Sequence, residues 1–185
     1  YRFLYHDFSL DSRLTGLIGP RGVGKTTLLI QYLKNHPELL SHAFYFSADH
    51  MYFSQTSLYE VVEDLYLTSG IKIFFIDEIH KYSNWCQELK NLYDGFPSMK
   101  IVFSGSSSLD LVKGSYDLSR RAILQRLPGM SFREYLNFTH ELDIAKISYS
   151  DLLSGSHDLG TVITKTSGIK GLFQNYLQHG YYPFS

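Results

Sequence analysis

The stretch Leu14–Leu29, LTGLIGPRGVGKTTLL, decides the fold of this chain. Its centre, Gly19–Thr26, matches the pattern G-x-x-x-x-G-K-[ST] without a substitution. The apolar run Leu14–Ile18 has the length of a buried strand, and residues 27–33 carry apolar side chains at helical spacing. A strand, a glycine-rich loop and a helix in this order are the context of a phosphate-binding loop. Backbone N–H groups of the loop and the positive N-terminal end of the helix point at the phosphates. The alternative is an accidental glycine-rich turn.

The loop is therefore predicted to bind a nucleoside triphosphate. Lys25 would reach the β- and γ-phosphates, and the Thr26 hydroxyl would ligate Mg²⁺. The predicted phosphate-contacting residues are Gly19, Pro20, Arg21, Gly22, Val23, Gly24, Lys25, Thr26 and Thr27.

The composition is that of an ordinary globular protein, with 185 residues, 44% apolar and 19% charged. A net charge of −1 gives no support for binding of nucleic acid. No apolar run approaches the length that spans a membrane. The single cysteine, Cys86, suits a reducing compartment, so we expect a cytoplasmic location. The first residue is Tyr1 and the last Ser185, and we expect the chain to be part of a longer protein.

Strands and helices alternate along most of the chain. Strands are predicted at 14–18, 43–47, 71–76, 100–104 and 122–127, and helices at 25–34, 57–69, 84–93 and 108–112. Such alternation predicts an α/β fold with a parallel sheet and helices on both faces. After residue 131 the pattern changes to a helix from 132, a polar stretch to about 161 and a helix at 168–179. We expect an ATPase core at 1–130 and a helical appendage, or the start of the next domain, at 131–185.

A second half of the nucleotide site follows the third strand. Asp77 directly follows four apolar residues. It has the position of the aspartate that holds Mg²⁺ in enzymes with a phosphate-binding loop. Glu78 beside it fits a base that polarises water for attack on the γ-phosphate. The alternative is that both acids only cap the next helix. His80 is interpreted as a supporting residue.

Two further groups complete the candidate site. Ser104, or secondarily Ser106, would orient the water if the fourth strand lies between the first and third. The alternative is a serine-rich turn that caps a short helix. Arg120 or Arg121 would stabilise charge on the γ-phosphate, in cis or across a subunit interface. A solvated or salt-bridged surface pair is the alternative.

Four segments, GPRGVGKTTLL, FFIDEIHK, FSGSSSLDL and SRRAILQRLPGMSFREYL, resemble predicted bacterial and archaeal ATPases of the extended AAA+ and STAND group. The closing HGYYPF is similar to a "GGYP"-type element of that family, with Gly180-Tyr181-Tyr182 where the family often has two glycines. The resemblance implies ATP, Mg²⁺, strand order 5-1-4-3-2 and a C-terminal winged-helix or nuclease-like domain.

By the same resemblance, Lys25 and Thr26 hold phosphate and Mg²⁺, Asp77 is the second magnesium residue, and Glu78 is the base. Ser104 is the sensor, and Arg120 and Arg121 occupy the position of the family's arginine.

Several functions fit these features. The leading hypothesis is an ATPase module whose hydrolysis drives an attached or partner domain. The runner-up is an ATP-dependent binding switch with negligible turnover. A small-molecule kinase would need a substrate pocket and an arginine-rich lid, and neither is evident. A GTPase is disfavoured because no N-K-x-D motif occurs in the sequence.

Overall fold

The computed structural model describes residues 2–106, 118, 120–142, 144, 146–155 and 168–183. Two compact units divide the chain, Tyr1–Pro128 and Gly129–Ser185. The helix predicted at 108–112 lies outside the described residues, as do Ser107 and Ser108.

The first unit is built around one parallel sheet. Its strands are β1 (Leu14–Ile18), β2 (Ala43–Ser47), β3 (Ile73–Asp77), β4 (Lys100–Gly105) and β5 (Ile123–Arg126). They lie in the order β2-β3-β4-β1-β5, and each neighbouring pair is parallel. The predicted α/β class and the strand order 5-1-4-3-2 are confirmed.

Helices pack on both faces of this sheet. They are α1 (Lys25–Asn35), α2 (Leu58–Ser69) and α3 (Trp85–Gly95). Successive side chains of a strand point to opposite faces, and β3 shows this pattern. Phe74 and Ile76 lie in the hydrophobic cluster with α2 and α3, whereas Phe75 lies in the cluster with α1. The central strands are therefore buried on both sides, which explains their continuous apolar sequence.

The segment before β1 belongs to the core of this unit. Residues 3–7 form a short 3-10 helix, and Leu4 and Phe8 are buried in the cluster that includes α1. The Phe8 ring packs edge-on against Tyr32 of α1, with 4.9 Å between ring centroids. The sequence pattern gave no indication of this contact.

The second unit is helical in its described part, with α4 (Phe132–Thr139), α5 (Tyr149–Ser154) and α6 (Ile169–His179). Ser131 and Glu134 form a capping box that starts α4. The Phe132 and Phe173 rings join α4 to α6, with 5.0 Å between centroids. Tyr181, in the HGYYPF element, accepts a 2.8 Å backbone hydrogen bond from Met130. This element therefore closes the unit onto its own first residues.

Candidate nucleotide-binding site

The loop between β1 and α1 depends on glycines with left-handed backbone angles. Gly22 has φ 83° and Gly24 has φ 93°, a region that side chains disfavour. Helix α1 begins at Lys25, and the Leu28 N–H donates to the Gly24 carbonyl at 2.9 Å. The loop thus curls directly onto a helix N-terminus, the arrangement that binds phosphate groups.

The start of the loop is held between neighbouring strands. The Gly19 N–H donates to the carbonyl of Gly105 at 3.3 Å. A Cβ atom at Gly19 would lie 2.2 Å from the Leu127 carbonyl oxygen, so only glycine fits here. The Val23 side chain is fully buried and anchors the far side of the loop.

The Lys25 side chain is enclosed by the loop and is only 4% exposed. Its Nζ atom donates to the carbonyls of Gly19 at 3.1 Å and Pro20 at 3.0 Å. Burial lowers the pKa of Lys25, and the carboxylates of Glu78 and Asp77 partly offset this effect. The ammonium group is therefore held by neutral carbonyls that phosphate oxygens could replace.

Asp77, at the end of β3, is the centre of a hydrogen-bonded cluster. The Thr26 hydroxyl donates to Oδ2 at 2.6 Å, and the Tyr45 hydroxyl donates to the same oxygen at 2.9 Å. The Ser104 hydroxyl donates to Oδ1. Asp77 is 3% exposed, and Ser104 is fully buried. The carboxyl ends of β2, β3 and β4 therefore meet beside the start of α1.

Tyr45 is a member of this cluster that the sequence analysis missed. Its pKa is raised, first by burial and then by the neighbouring Asp77 carboxylate, so the hydroxyl keeps its proton and acts as a donor. In an apolar strand such as Phe44-Tyr45-Phe46, a tyrosine is expected to be a core residue. Only the pairing of β2 with β3, which puts Tyr45 near Asp77, distinguishes it.

Glu78 begins a sharp change of direction after β3. It has φ 52°, which is uncommon for a residue with a side chain and is found at functional sites. Its N–H donates to Asp77 Oδ1 at 3.1 Å. The carboxylate is 33% exposed, and its Oε2 lies 3.4 Å from Nε2 of His80. Because the Ser106 N–H donates to Nδ1 of His80 at 3.4 Å, the neutral ring carries its proton on Nε2, which faces Glu78.

The two adjacent arginines have different surroundings. Arg121 donates from Nε and Nη2 to both carboxylate oxygens of Asp94 on α3, each at 2.9 Å. This pairing lowers the pKa of Asp94. Arg120 is exposed and has no hydrogen bond or ion pair with another described residue. The structure brings neither arginine into the Asp77 cluster.

The donor atoms suit a magnesium ion. The Thr26 hydroxyl oxygen and a carboxylate oxygen of Asp77 lie 2.6 Å apart. Mg²⁺ prefers oxygen ligands, and usually only one or two of them are protein side chains. In the described part of the chain, no group of three or more His, Cys, Asp or Glu side chains could hold a metal. A magnesium ion held by Thr26 and Asp77 would take its other ligands from phosphate and water, as Mg²⁺ commonly does in proteins.

Arg2 also contacts the phosphate-binding loop, although no sequence pattern indicates it. Its guanidinium donates to the Val23 carbonyl and, at 2.6 Å, to the Pro128 carbonyl. It thereby ties the loop to the segment after β5. A lone arginine near the start of a chain carries no sequence signal for such a role.

Fold and loop together define a P-loop ATPase of the AAA+ type. The AAA domain family model matches residues 11–136, so the chain belongs to this family. It is 35% identical over 153 residues to the uncharacterized protein MJ1637 of Methanocaldococcus jannaschii. This alignment covers 77% of this chain and 31% of the relative. The chain thus spans about a third of that protein.

Solved structures share the fold at low identity. The S. cerevisiae Hsp104–ADP complex aligns with a TM-score of 0.51 and 20% identity, over 70% of this chain and 21% of that chain. AMPPCP-bound DnaA from Aquifex aeolicus aligns with a TM-score of 0.50 and 15% identity, over 96% and 62% of the two chains. Among the described residues, none belongs to a helix long and apolar enough to cross a membrane.

Proposed function

We propose that this chain binds ATP with Mg²⁺ and hydrolyses the bond between its β- and γ-phosphates. The observation that carries the proposal is the cluster of Thr26, Asp77 and Ser104 at one edge of the sheet, with Glu78 immediately after it. In parallel α/β sheets this carboxyl edge is where ligands bind. Membership of the AAA domain family supports the same conclusion.

Each residue has a proposed role that its position supports. Residues 19–27 of the loop would surround the phosphates, and Lys25 would exchange its carbonyl partners for β- and γ-phosphate oxygens. Thr26 and Asp77 would hold Mg²⁺, which would withdraw charge from the phosphates. Ser104 would keep Asp77 oriented and, together with Glu78, face the attacking water.

Glu78 is the proposed general base. A water placed between Glu78 and the γ-phosphorus would lose a proton to the carboxylate as its oxygen attacks in line. The bond between the γ-phosphorus and the bridging oxygen would break, and ADP would leave with that oxygen. His80 contacts that carboxylate through Nε2 at 3.4 Å and would limit its freedom before the phosphate is in place. The strained backbone at Glu78 supports this role, because such strain is retained where geometry matters for function.

The arginine that stabilises the transferring phosphate is proposed to be Arg120, supplied by a second copy of the chain. Two observations support this choice over Arg121. Arg121 is held by both oxygens of Asp94, whereas Arg120 is exposed and has no partner among the described residues. An arginine added in this way raises phosphoryl transfer by roughly 10³–10⁵-fold.

Coupling of hydrolysis to an attached or partner domain completes the proposal. The relative from Methanocaldococcus jannaschii extends well beyond the matched region, since the alignment covers 31% of it. We therefore propose that ATP binding and hydrolysis in this unit change the state of an attached or partner domain.

A binding switch with negligible turnover is the second candidate. The separation of both arginines from the Asp77 cluster favours it, because a single chain would then have no arginine to stabilise the transferring phosphate. In this account ATP would change partner affinity without being consumed.

Steady-state phosphate release with Mg-ATP separates the two functions. The comparison is between the unchanged chain, Glu78→Gln and the control Glu38→Gln, an exposed acid in a short 3-10 helix before β2. If the chain hydrolyses ATP, the unchanged chain and Glu38→Gln should both release phosphate. Glu78→Gln should release none but should still bind ATP. If ATP binds equally and none of the three turns over at any protein concentration, the hydrolysis proposal is wrong and the switch is favoured.

A further inference from the structure

An open groove of about 730 Å³ runs along β2, the outermost strand on one side of the sheet. Four successive residues of β2, 44–47, line it together with residues of α2 and the segment between them. Side chains on one face of a strand come from alternate residues. A groove lined by consecutive residues therefore follows the edge of the strand and not one of its faces.

This edge offers unused backbone hydrogen-bonding groups. The His42 carbonyl accepts from the N–H of Ile73 at 3.0 Å, and the Ala48 N–H donates to the Asp77 carbonyl at 2.8 Å. In a parallel pair, alternate residues direct both backbone groups toward the neighbouring strand. Tyr45, at the middle of the three odd positions between them, therefore directs its N–H and C=O outward. Among the described residues, neither group forms a backbone hydrogen bond outside the helices and strands.

Aromatic side chains form the wall beside this edge. The Phe46 ring lies 5.9 Å from Phe44 and stacks on Phe53 at 5.2 Å between centroids. Phe44 is 40% exposed and Tyr52 is 54% exposed, although both line the groove. Large apolar side chains of a partner would be removed from water against this wall.

The rim of the groove is acidic. Glu60 and Asp64 lie one turn apart on α2, both are exposed, and no Lys or Arg is among the lining residues. Like charges at this spacing disfavour an isolated helix, and a basic side chain of a partner would relieve the repulsion. A second copy of this chain is a poor occupant, because two β2 edges placed together would also bring together two such acidic pairs.

We propose that this groove binds an extended segment of a partner protein that adds to β2 as a further strand. The segment carries large apolar side chains at alternate positions and at least one Lys or Arg that pairs with Glu60 or Asp64. Backbone bonds to Tyr45 supply affinity, and the aromatic wall and acidic rim supply specificity. This docking does not depend on ATP hydrolysis and can be tested without nucleotide.

The test uses a phage library of random twelve-residue peptides, selected on the immobilised chain without nucleotide. Enriched peptides are then synthesised with fluorescein and titrated by fluorescence anisotropy. The groove variants are Phe44→Asp and Asp64→Lys. Their matched controls are Leu40→Asp, another exposed apolar residue, and Glu38→Lys, another exposed acid. Amide hydrogen exchange at Tyr45 reports whether a strand has been added.

The proposal predicts enriched peptides with alternating apolar residues and a Lys or Arg. Their binding weakens at least about tenfold in each groove variant and stays within about twofold in the controls, and the Tyr45 amide gains protection. Three results would overturn it: no enrichment beyond that on a chain with both groove substitutions, equal binding by groove and control variants, or dimerisation of the chain that Phe44→Asp abolishes. If Phe44→Asp does not fold, the comparison of Asp64→Lys with Glu38→Lys decides the question. Loss of ATPase activity in any other experiment leaves this result unaffected.

Discussion

The Tyr45 hydroxyl donates a 2.9 Å hydrogen bond to Oδ2 of Asp77, the oxygen that also accepts from the Thr26 hydroxyl. Tyr45 comes from β2 and Asp77 from β3, so the bond crosses between neighbouring strands. It fixes one carboxylate oxygen from the side opposite Ser104. Tyr45 is therefore a positioning residue for the proposed magnesium site.

Replacement Tyr45→Phe removes this donor and leaves the ring. We expect Mg²⁺ to bind about tenfold more weakly in the presence of ADP, because the carboxylate loses one of the groups that orient it. ADP affinity without metal should be unchanged. Titration of Mn²⁺ followed by electron paramagnetic resonance measures the change directly. Equal Mn²⁺ affinity in the two proteins would contradict a positioning role.

Gly19→Ala tests the steric requirement at the start of the loop. The new methyl group would lie 2.2 Å from the Leu127 carbonyl oxygen, so the loop or β5 must shift. We expect a loss of ATP affinity of at least about 30-fold together with a lower melting temperature. Gly95→Ala, where an added Cβ meets no atom within 4 Å, is the control and should keep wild-type affinity. Full ATP affinity in Gly19→Ala would contradict the close approach.

The lowered pKa of Lys25 predicts a pH dependence of ATP binding. The phosphates favour the protonated lysine, so affinity is constant below the pKa of the free chain and falls as pH rises through it. Because burial lowers this pKa, the fall should begin below the usual value of 10.5. Calorimetric titrations with ATP between pH 7.5 and 10.5 measure it. Lys25→Arg, whose charge persists in this range, should show weaker binding without the fall, and a flat profile for the unchanged chain would refute the prediction.

Separate substitution of the two arginines tests the assignment to Arg120. Arg120→Ala should lower phosphate release by on the order of 10³-fold, whereas Arg121→Ala should stay within about threefold, since its guanidinium is bound to Asp94. Mixing Arg120→Ala with Glu78→Gln should restore activity if the arginine acts across an interface, because one mixed site is then complete. Loss of activity in Arg121→Ala alone would reverse the assignment.

The elements with strong periodicity were predicted from sequence. The bounds of β1 and β2 match the prediction, and α2 begins one residue after its predicted start because Ser57 is its cap. Helix α5, Tyr149–Ser154, was missed, because six residues in a polar stretch carry too little apolar pattern to indicate a helix. A cap at Ser148 was the available signal.

Site residues could be predicted where a motif names them or, for Ser104, where the order of the strands indicates them. Thr26 and Asp77 stand 51 positions apart in sequence and form a hydrogen bond, as their motifs imply. Tyr45 and Arg2 belong to no motif, and their contacts depend on how β2 and the first residues pack. Which of Arg120 and Arg121 forms an ion pair could not be predicted either, because this depends on the position of Asp94 on α3.

A single-turnover measurement tests the central claim most directly. The chain is mixed in excess with radiolabelled ATP and Mg²⁺, and conversion to ADP is followed for the unchanged protein, Glu78→Gln and Glu38→Gln. Product release has no influence on the result, so only binding and cleavage are reported. We predict complete conversion by the first and third proteins, and bound but uncleaved ATP in Glu78→Gln. Equal conversion rates for all three, or ATP that stays intact in all three at every chain concentration, would contradict the account.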